Sequence, residues 1–355
     1  MIFGFSAIRE MLTVVLLTWA SVGHAQLGGP LRDAKAPAGP VRDAKAPGGP
    51  VGVIFDTDMG PDYDDVGAIA LLHAFADSGK ATILATMASN KYEGVAAVLN
   101  VFNTYFRRPG IPIGVPKGNA VSQRDGQHWT DSILVHYPHT VVRNEQAEEA
   151  LTLYRKILAG RPDHSVIIIT VGFLTNVAGL LQSGPDVYSA LSGVELVRRK
   201  VRQLVSMAGK FPEGWEFNVM KDAAASQAVF GGWPTPVLLS GFEIGVKIKC
   251  GLPLVADPAI HHDPVKDVFR ISIPLAAEDS AGRSSWDETA VLVGICGYAP
   301  YYTVKRGRMT VKADGSDRWV DDEAGGQEHL VEARPVAEVQ AVINRLIEHQ
   351  PTFSP

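Results

Sequence analysis

The sequence predicts an α/β fold in which a mostly parallel central sheet carries helices on both faces. Short apolar segments rich in Val and Ile alternate with longer segments of helical length, and this alternation is typical of repeated strand–helix units. Polar clusters follow several of the apolar segments, and parallel sheets bind ligands outside the carboxyl ends of their strands. Together these observations predict a binding site at one edge of the sheet.

The folded domain begins at about Val51, and its elements follow in a regular order. The first strand ends in acidic residues, and the helix after it should stop at Gly79, because glycine is favoured just past a helix. The strand HSVIIITVGF is the most apolar, which indicates burial on both faces. In chain order the predicted segments are the strand VGVIFDTD, the helix DDVGAIALLHAFADSG, the strand ATILATMASN, the helix EGVAAVLNVFNTYF, the strand HSVIIITVGF, the helix LTNVAGLLQSG and the strands RQLVSMAG and TPVLLSGF.

Three regions divide the 355 residues. Residues 1–25 are typical of a signal peptide, since an apolar core over 11–22 precedes a small residue, Ala25, at the cleavage position. Residues 26–50 hold a tandem near-repeat of Gly, Pro and Ala, a composition that predicts a disordered spacer. Residues 51–355 form one α/β domain. We therefore expect an exported protein, periplasmic or secreted; a loosely ordered N-terminal helix is the alternative.

Composition excludes two classes of partner. The net charge is −5 and the chain has no basic run, which argues against nucleic acid. After the N-terminal segment no apolar stretch is long enough to span a bilayer, so we expect no membrane span in the mature chain. The two cysteines, Cys250 and Cys296, could pair in an oxidising compartment or remain unpaired thiols in the core.

Five aspartates fall within ten residues in the segment DTDMGPDYDD, and three explanations compete for them. A calcium-binding EF-hand loop fits poorly, since Gly60 is one place early and Gly67 replaces the glutamate at the twelfth position. A phosphotransferase of the haloacid dehalogenase type would use a strand-end aspartate as nucleophile. Such proteins usually have Thr or Val where Gly60 stands, and their second acidic pair is distant, whereas Asp64 and Asp65 are close in this sequence.

The third explanation is a metal site that activates water. Asp58 at the end of the strand and Asp65 at the start of the helix can converge on one hard divalent cation such as Ca²⁺, across a loop tightened by Gly60 and Pro61. A carboxylate beside bound water can then accept a proton. A solvated acidic loop that caps the helix is the structural alternative.

The segment DTDMGPDYDD resembles the N-terminal motif of the inosine–uridine-preferring nucleoside hydrolase family, in its longer DTDxGxDxDD form. Three further segments are similar to motifs of that family: VGFLTNVAGLL, EFNVMKDAAASQAVF and SWDETAVL. Their order and spacing fit over about residues 51 to 350, so the resemblance implies a nucleoside hydrolase-like fold, a small-molecule nucleoside substrate and a homo-oligomer, either a dimer or a tetramer.

The resemblance also implies a metal site. The family's Ca²⁺ ligands fall on Asp58, Asp65, Asp287 and the backbone carbonyl of Val171, and Asn176 supports the turn that carries this carbonyl. Asp58 is also the position of the general base, which takes a proton from water. All of these ligands are hard oxygen donors, which suits Ca²⁺.

A second set of residues is predicted to bind the substrate. Asp64 matches the carboxylate that binds a ribose hydroxyl, and Asn90, Glu216 and Asn218 fall on positions that hold the sugar. Met207 joins this set because it lies at the predicted end of a strand. The surrounding carboxylates would stabilise the positive charge that develops on the ribose ring as an N-glycosidic bond breaks.

The sequence departs from the family at Trp286. Purine-active and nonspecific members carry His immediately before the last metal aspartate, and that His helps to protonate the departing base. Tryptophan has no titratable proton, although its ring can stack on a heterocycle. A loop rich in histidine and aromatic residues lies where the family has its lid, and we assign Trp286 and His128 to the catalytic set. The other loop candidates are His136, Tyr137 and His139.

Two readings of the function follow from these residues. In the first, the protein hydrolyses the N-glycosidic bond of ribonucleosides with Ca²⁺ and releases base and ribose. In the second, the same apparatus acts on another N-riboside or binds a nucleoside or ribose without turnover. The phosphotransferase with an aspartate nucleophile is the weaker alternative.

Overall fold

The computed structural model describes residues 49–351, and the predicted signal peptide and nearly all of the predicted spacer lie outside these residues. The strands are β1 (Val51–Thr57), β2 (Ala81–Ala88), β3 (Ile113–Val115), β4 (Glu148–Glu149), β5 (Val166–Thr170), β6 (Val201–Met207), β7 (Glu213–Trp215), β8 (Val237–Ser240), β9 (Lys249–Cys250), β10 (Arg283–Ser284), β11 (Tyr302–Val311), β12 (Ser316–Asp321) and β13 (Gln327–Glu332).

The helices connect these strands and begin with a helix directly after β1. They are α1 (Asp64–Asp77), α2 (Val95–Tyr105), α3 (Trp129–His136), α4 (Ala150–Ala159), α5 (Thr175–Gln182), α6 (Gly193–Lys200), α7 (Phe217–Lys221), α8 (Ala223–Gly232), α9 (Phe242–Gly245), α10 (Leu252–Ala256), α11 (Pro264–Ser272), α12 (Trp286–Cys296) and α13 (Val336–Ile347). Short 3₁₀ turns cover Asn144–Gln146, Ile273–Leu275 and Ala277–Asp279.

The central sheet confirms the predicted fold class. Within residues 49–351 it has eleven strands in the order β4-β3-β2-β1-β5-β6-β8-β13-β11-β12-β7. Along the sheet, the first eight strands run parallel to one another: β4, β3, β2, β1, β5, β6, β8 and β13. From β13 onward β11, β12 and β7 are antiparallel. This antiparallel extension was not predicted from the sequence.

Helices cover both faces of the sheet, as predicted. Side chains of β1 alternate between the two faces, so that Val53 and Phe55 pack into one apolar layer and Ile54 into the other. Helices α1, α2, α11, α12 and α13 contribute to the first layer, and α4, α5, α6 and α8 contribute to the second. Burial on both faces explains why the central strands are continuously apolar.

Individual elements also agree with the sequence. Helix α1 ends at Asp77, and Gly79 follows with a φ of 71°, a left-handed conformation that favours glycine. The cysteines are unpaired: Cys250 is buried, whereas Cys296 is exposed. Among the described residues, no helix has the length and apolarity needed to cross a membrane.

Candidate active site

The parallel strands bring the predicted site residues to one edge of the sheet. Strands β2, β1, β5 and β6 are neighbours. Asp58 follows the last residue of β1, Val171 follows β5, and Met207 ends β6. The register pairs Asp56 with Thr170, so these strand ends are level with one another. Residues far apart in the chain therefore meet outside the carboxyl ends, where ligands bind in such sheets.

A cavity of about 370 Å³ opens at this edge, which is a size typical of small-molecule sites. Most of the predicted site residues line it, and they are joined by aromatic residues and one arginine. The lining residues are Asp58, Asp62, Asp64, Val171, Met207, Trp215, Glu216, Phe217, Asn218, Met220, Phe242, Arg283, Trp286 and Asp287.

The three carboxylates predicted to bind metal are all buried. Asp58 lies in the loop after β1, whereas Asp65 and Asp287 occupy the first turns of α1 and α12, where the helix dipole favours negative charge. Burial raises the pKa of each carboxyl well above its ordinary value, and repulsion from neighbouring aspartates raises it further. Concentrated buried negative charge of this kind needs compensation.

The donor set suits a hard divalent cation. Asp65 Oδ1 accepts a hydrogen bond from Thr57, while Asp65 Oδ2 is buried and has no hydrogen-bond partner. Across residues 49–351, no group of three or more Asp, Glu, His or Cys side chains is arranged so that it could hold an ion as it stands. Carboxylate and carbonyl oxygens are nevertheless what such a cation prefers, and the orphaned oxygen offers it a position.

Val171, in the turn after β5, lines the cavity. Asn218 Nδ2 lies 3.3 Å from the backbone carbonyl oxygen of Val171 and 3.3 Å from that of Met207, so one amide bridges the ends of β5 and β6. Gly172 allows the turn to approach β1, because a Cβ there would lie only 2.3 Å from the backbone nitrogen of Asp58. This close approach explains the glycine in the VGFLTN motif.

Asp56 and Asn176 form hydrogen bonds at this edge of the sheet but do not line the cavity. Asn176 Nδ2 donates to Asp56 Oδ2 over 3.1 Å and to the carbonyl of Ala88 over 2.7 Å, which ties α5 to the ends of β1 and β2. Tyr154 also donates to Asp56 over 2.7 Å. Burial raises the pKa of Asp56 to about 7, although both hydrogen bonds oppose the shift.

Glu216 lies on the sugar side of the predicted site and is fixed by backbone groups. Its Oε1 accepts from the backbone N–H of Asn218 over 3.0 Å, and its Oε2 accepts from Val219 and Gly209 over 3.1 and 3.4 Å. These bonds cap α7. Burial raises the pKa of Glu216 to about 7, against the effect of the backbone donors. The carboxylate is thus rigid and acts as a hydrogen-bond acceptor.

Both carboxylate oxygens of Asp64 accept hydrogen bonds from groups that the sequence did not identify. Arg283 donates to Asp64 Oδ1 from Nε over 3.0 Å and from Nη2 over 2.7 Å. Asp64 Oδ2 accepts from the backbone N–H groups of Trp286 and Asp287 over 3.2 and 3.3 Å. Asp64 therefore joins the starts of α1 and α12.

Arg283 is the principal site residue that sequence reasoning missed. Its Nη2 also lies 2.7 Å from Asp62, and its guanidinium lies 5.0 Å from the ring centroids of both Tyr63 and Trp286. The only available signal was a lone arginine shortly before the SWDE segment. Its partner Asp64 is 219 residues away, and such a pairing is set by the packing of α1 beside α12.

Trp286 lines the cavity, and its ring also lies against Phe242 and Arg283. Its Nε1 donates to the carbonyl of Phe242 over 2.8 Å, and the two rings are 5.3 Å apart at an angle of 30°. With Arg283 also close to the ring, the indole is held in one orientation. Trp215, Phe217 and Phe242 supply further aromatic surface that the sequence analysis did not select.

Three predicted site residues, Asp65, Asn90 and His128, do not line the cavity. Asn90 is buried, and its amide is used within the loops: Nδ2 donates to the carbonyls of Asp58 and Gln123 over 3.0 and 2.6 Å, and Oδ1 accepts from the backbone of Gln123 over 3.0 Å. His128 precedes α3 with a side chain that is 76% exposed and lies 3.3 Å from Asp131. The other loop candidates, His136, Tyr137 and His139, are also absent from the lining.

Family and fold comparisons agree with this geometry. Residues 53–334 match the family described as inosine-uridine preferring nucleoside hydrolase, and the chain belongs to that family. No curated protein matches the sequence at a significant level.

Three solved structures illustrate the fold that the chain shares. An inosine-uridine preferring nucleoside hydrolase from Bacillus anthracis is 16% identical with a TM-score of 0.62, over 84% of this chain and 99% of that one. A purine-preferring ribonucleoside hydrolase from Gardnerella vaginalis is 16% identical with a TM-score of 0.65, over the same shares. The type III effector protein XopQ, complexed with adenosine diphosphate ribose, is 13% identical with a TM-score of 0.61, over 85% and 94%. At these identities the likeness concerns the fold alone.

Proposed function

We propose that the protein is a metal-dependent N-glycosidase that hydrolyses the bond between ribose and a nitrogen heterocycle in ribonucleosides or related N-ribosides. The observation that carries the proposal is a single cavity lined by the buried carboxylates Asp58 and Asp287, the polar groups Glu216 and Asn218, and an aromatic wall. Such a cavity combines the means to activate water, hold a sugar and accommodate a flat ring.

The metal would be Ca²⁺, held by Asp58, Asp65, Asp287 and the carbonyl of Val171. When bound, a divalent cation lowers the pKa of a water molecule and binds sugar hydroxyls. Asp58 lies at the end of β1 and acts as the general base that takes the proton from the attacking water. The rigid strand and helix ends hold these oxygens in position.

The sugar would lie against the polar side of the cavity. Glu216 presents a fixed carboxylate and Asn218 an amide, and both can bind hydroxyl groups directionally. Asp64 is held by Arg283 and would contribute to the same side. As the glycosidic bond breaks, positive charge develops on the ribose ring, and the carboxylates around it stabilise that charge.

Measuring ribose release from a panel of ribosides, with and without a chelator, tests this proposal. The matched variants are Asp58→Asn and Asp163→Asn; the Asp163 side chain is 48% exposed and remote from the cavity. We expect turnover that the chelator abolishes, a loss of about a hundredfold or more in Asp58→Asn, and unchanged rates in Asp163→Asn. Binding of ribosides without any ribose release would contradict the proposal and favour a binding protein.

We further propose that the chain is exported and acts as a homo-oligomer. Export is supported by the apolar segment over 11–22 and the small residue that ends it. The oligomer, a dimer or tetramer, is supported only by the family resemblance. N-terminal sequencing of the native protein tests cleavage after Ala25, and light scattering tests the oligomer; an uncleaved N-terminus or a monomer would contradict the respective proposal.

A further inference from the structure

Among the described residues, the lining of the cavity contains no histidine that could protonate the leaving group. It also contains no Lys, Cys or Tyr among these residues, and its ionisable groups are five carboxylates and Arg283. A guanidinium stays protonated at neutral pH, so Arg283 cannot donate a proton. Purines and uracil are poor leaving groups unless they are protonated, and general acid catalysis of this kind is typically worth about a hundredfold or more.

Three of the five carboxyl groups of the lining, those of Glu216, Asp64 and Asp62, are engaged in hydrogen bonds or an ion pair. Both oxygens of Glu216 accept hydrogen bonds from backbone N–H groups, and both oxygens of Asp64 accept from Arg283 or from the start of α12. Asp62 is ion-paired with Arg283 over 2.7 Å. In the structure these three carboxyl groups accept hydrogen bonds or form an ion pair, whereas a general acid must donate its proton to the leaving group.

The charge of the lining favours a positively charged ligand. When all five carboxyl groups are ionised they outnumber one guanidinium, and a bound divalent cation would still leave the lining negative. Two further cations are near but outside the lining: Lys210 lies 5.1 Å from the ring centroid of Phe242, and Lys221 lies 5.0 Å from that of Phe217. Each is on a ring that also borders the cavity, so these rings already bind cations.

Trp215 provides the aromatic surface at the entrance. It ends the edge strand β7 and borders the cavity, and it remains 60% exposed. Its indole is held on a strand that pairs with β12 through Ser316. An exposed indole beside a negatively charged cavity can stack on a planar ring and attracts a cation to its face.

We propose that the preferred substrates are N-ribosides whose ring nitrogen is positively charged, such as pyridinium ribosides, with Trp215 as a residue that recognises the ring. This inference rests on the proposed function. Water forms a bond to the anomeric carbon as the carbon–nitrogen bond breaks, and its electron pair stays on the ring nitrogen. The ring leaves as a neutral pyridine, the water proton passes to Asp58 and then to solvent, and no acid is needed.

Nicotinamide riboside, inosine, uridine and p-nitrophenyl riboside are the probes that test this inference. The last has a leaving group that departs without protonation, so it reports on the hydrolytic apparatus alone. We expect kcat/KM for nicotinamide riboside to exceed that for inosine and uridine by about a hundredfold, the usual contribution of an acid. If p-nitrophenyl riboside is hydrolysed but kcat/KM for nicotinamide riboside does not exceed that for uridine, this inference is overturned and the proposed function remains intact. No hydrolysis of any probe would overturn both.

Substitution of Trp215 tests recognition separately. Trp215→Leu should lower kcat/KM for nicotinamide riboside about tenfold, in line with loss of a cation–π contact, and Trp215→Phe should retain most of it. Tyr188→Leu, at a partly exposed tyrosine outside the cavity, is the matched control and should change nothing. With p-nitrophenyl riboside as the substrate, the cation 1-methylnicotinamide should inhibit more strongly than neutral nicotinamide. The difference between the two inhibitors should be smaller in Trp215→Leu. Equal inhibition by the two compounds would overturn the preference for charge.

Discussion

Replacing Arg283 by methionine should destabilise the protein well beyond an ordinary surface substitution. The arginine side chain is 10% exposed and pairs with Asp64, whose side chain is 2% exposed. Methionine keeps an apolar stem of similar length but removes the positive charge, so the buried Asp64 loses its partner. Truncating one member of a buried ion pair costs about 3–5 kcal/mol, because the remaining charge is left uncompensated.

The lower end of that range applies here. Asp64 would keep two hydrogen bonds from the backbone N–H groups of Trp286 and Asp287. We therefore expect a loss of about 3 kcal/mol in the free energy of unfolding, which corresponds to a fall in Tm of about 6 °C or more at roughly 2–4 °C per kcal/mol. Thermal unfolding followed by circular dichroism, in the presence of a chelator, measures this change without a contribution from metal.

Arg308→Met is the matched control. Arg308 pairs with Asp322 over 2.8 Å, but its side chain is 63% exposed, and surface pairs of this kind contribute only about 0–1 kcal/mol. Asp64→Asn added to Arg283→Met should recover part of the loss, since it removes the unpaired charge, and the double-mutant cycle measures the coupling. Equal Tm values for Arg283→Met and Arg308→Met would refute the structural role assigned to Arg283.

Three further predictions concern packing, metal and the leaving group. Gly67→Ala should lower Tm, since its Cβ would lie 2.0 Å from Oε1 of the buried Glu288. In the control Gly179→Ala the added Cβ meets nothing within 4 Å, so Tm should rise slightly. A rise in both variants would contradict the packing of α1 on α12. Ca²⁺ at a hundred times its Kd should add about 2.7 kcal/mol to the free energy of unfolding. Calorimetry should show this as a rise in Tm of about 5 °C, and the rise should be absent in Asp65→Asn. Trp286→His should raise kcat/KM for inosine about tenfold or more without a matching gain for nicotinamide riboside, because histidine can donate a proton; an equal gain for both would count against this reason.

The sequence predicted the parallel part of the fold and most of the site because both depend on local patterns. Continuously apolar strands that end in polar residues define the edge where Asp58, Val171 and Met207 meet. Neither the pairing of Arg283 with Asp64 nor the antiparallel strands β11, β12 and β7 could be predicted in this way. Both depend on contacts between segments distant in the chain, for which periodicity and spacing carry no information.

Asn90 shows a second limit of sequence reasoning. A strand-end asparagine can bind a sugar or support a loop, and only the folded chain shows which backbone groups reach its amide. Here the carbonyls of Asp58 and Gln123 take both of the donor interactions, and Asn90 does not line the cavity. His128 was selected from its position in a histidine-rich loop, yet the start of α3 turns its side chain to the surface.

Hydrolysis in ¹⁸O-labelled water tests the central claim most directly. Mass spectrometry of the ribose released from nicotinamide riboside should show one labelled oxygen per sugar and none in the base, because water attacks the anomeric carbon. Unlabelled ribose kept in the same water for the same time is the control, and it should take up less label through exchange at that carbon. A chelator should stop the release, and added Ca²⁺ should restore it. Unlabelled ribose as the product, or release that continues at the same rate with the chelator, would contradict a metal-dependent N-glycosidase.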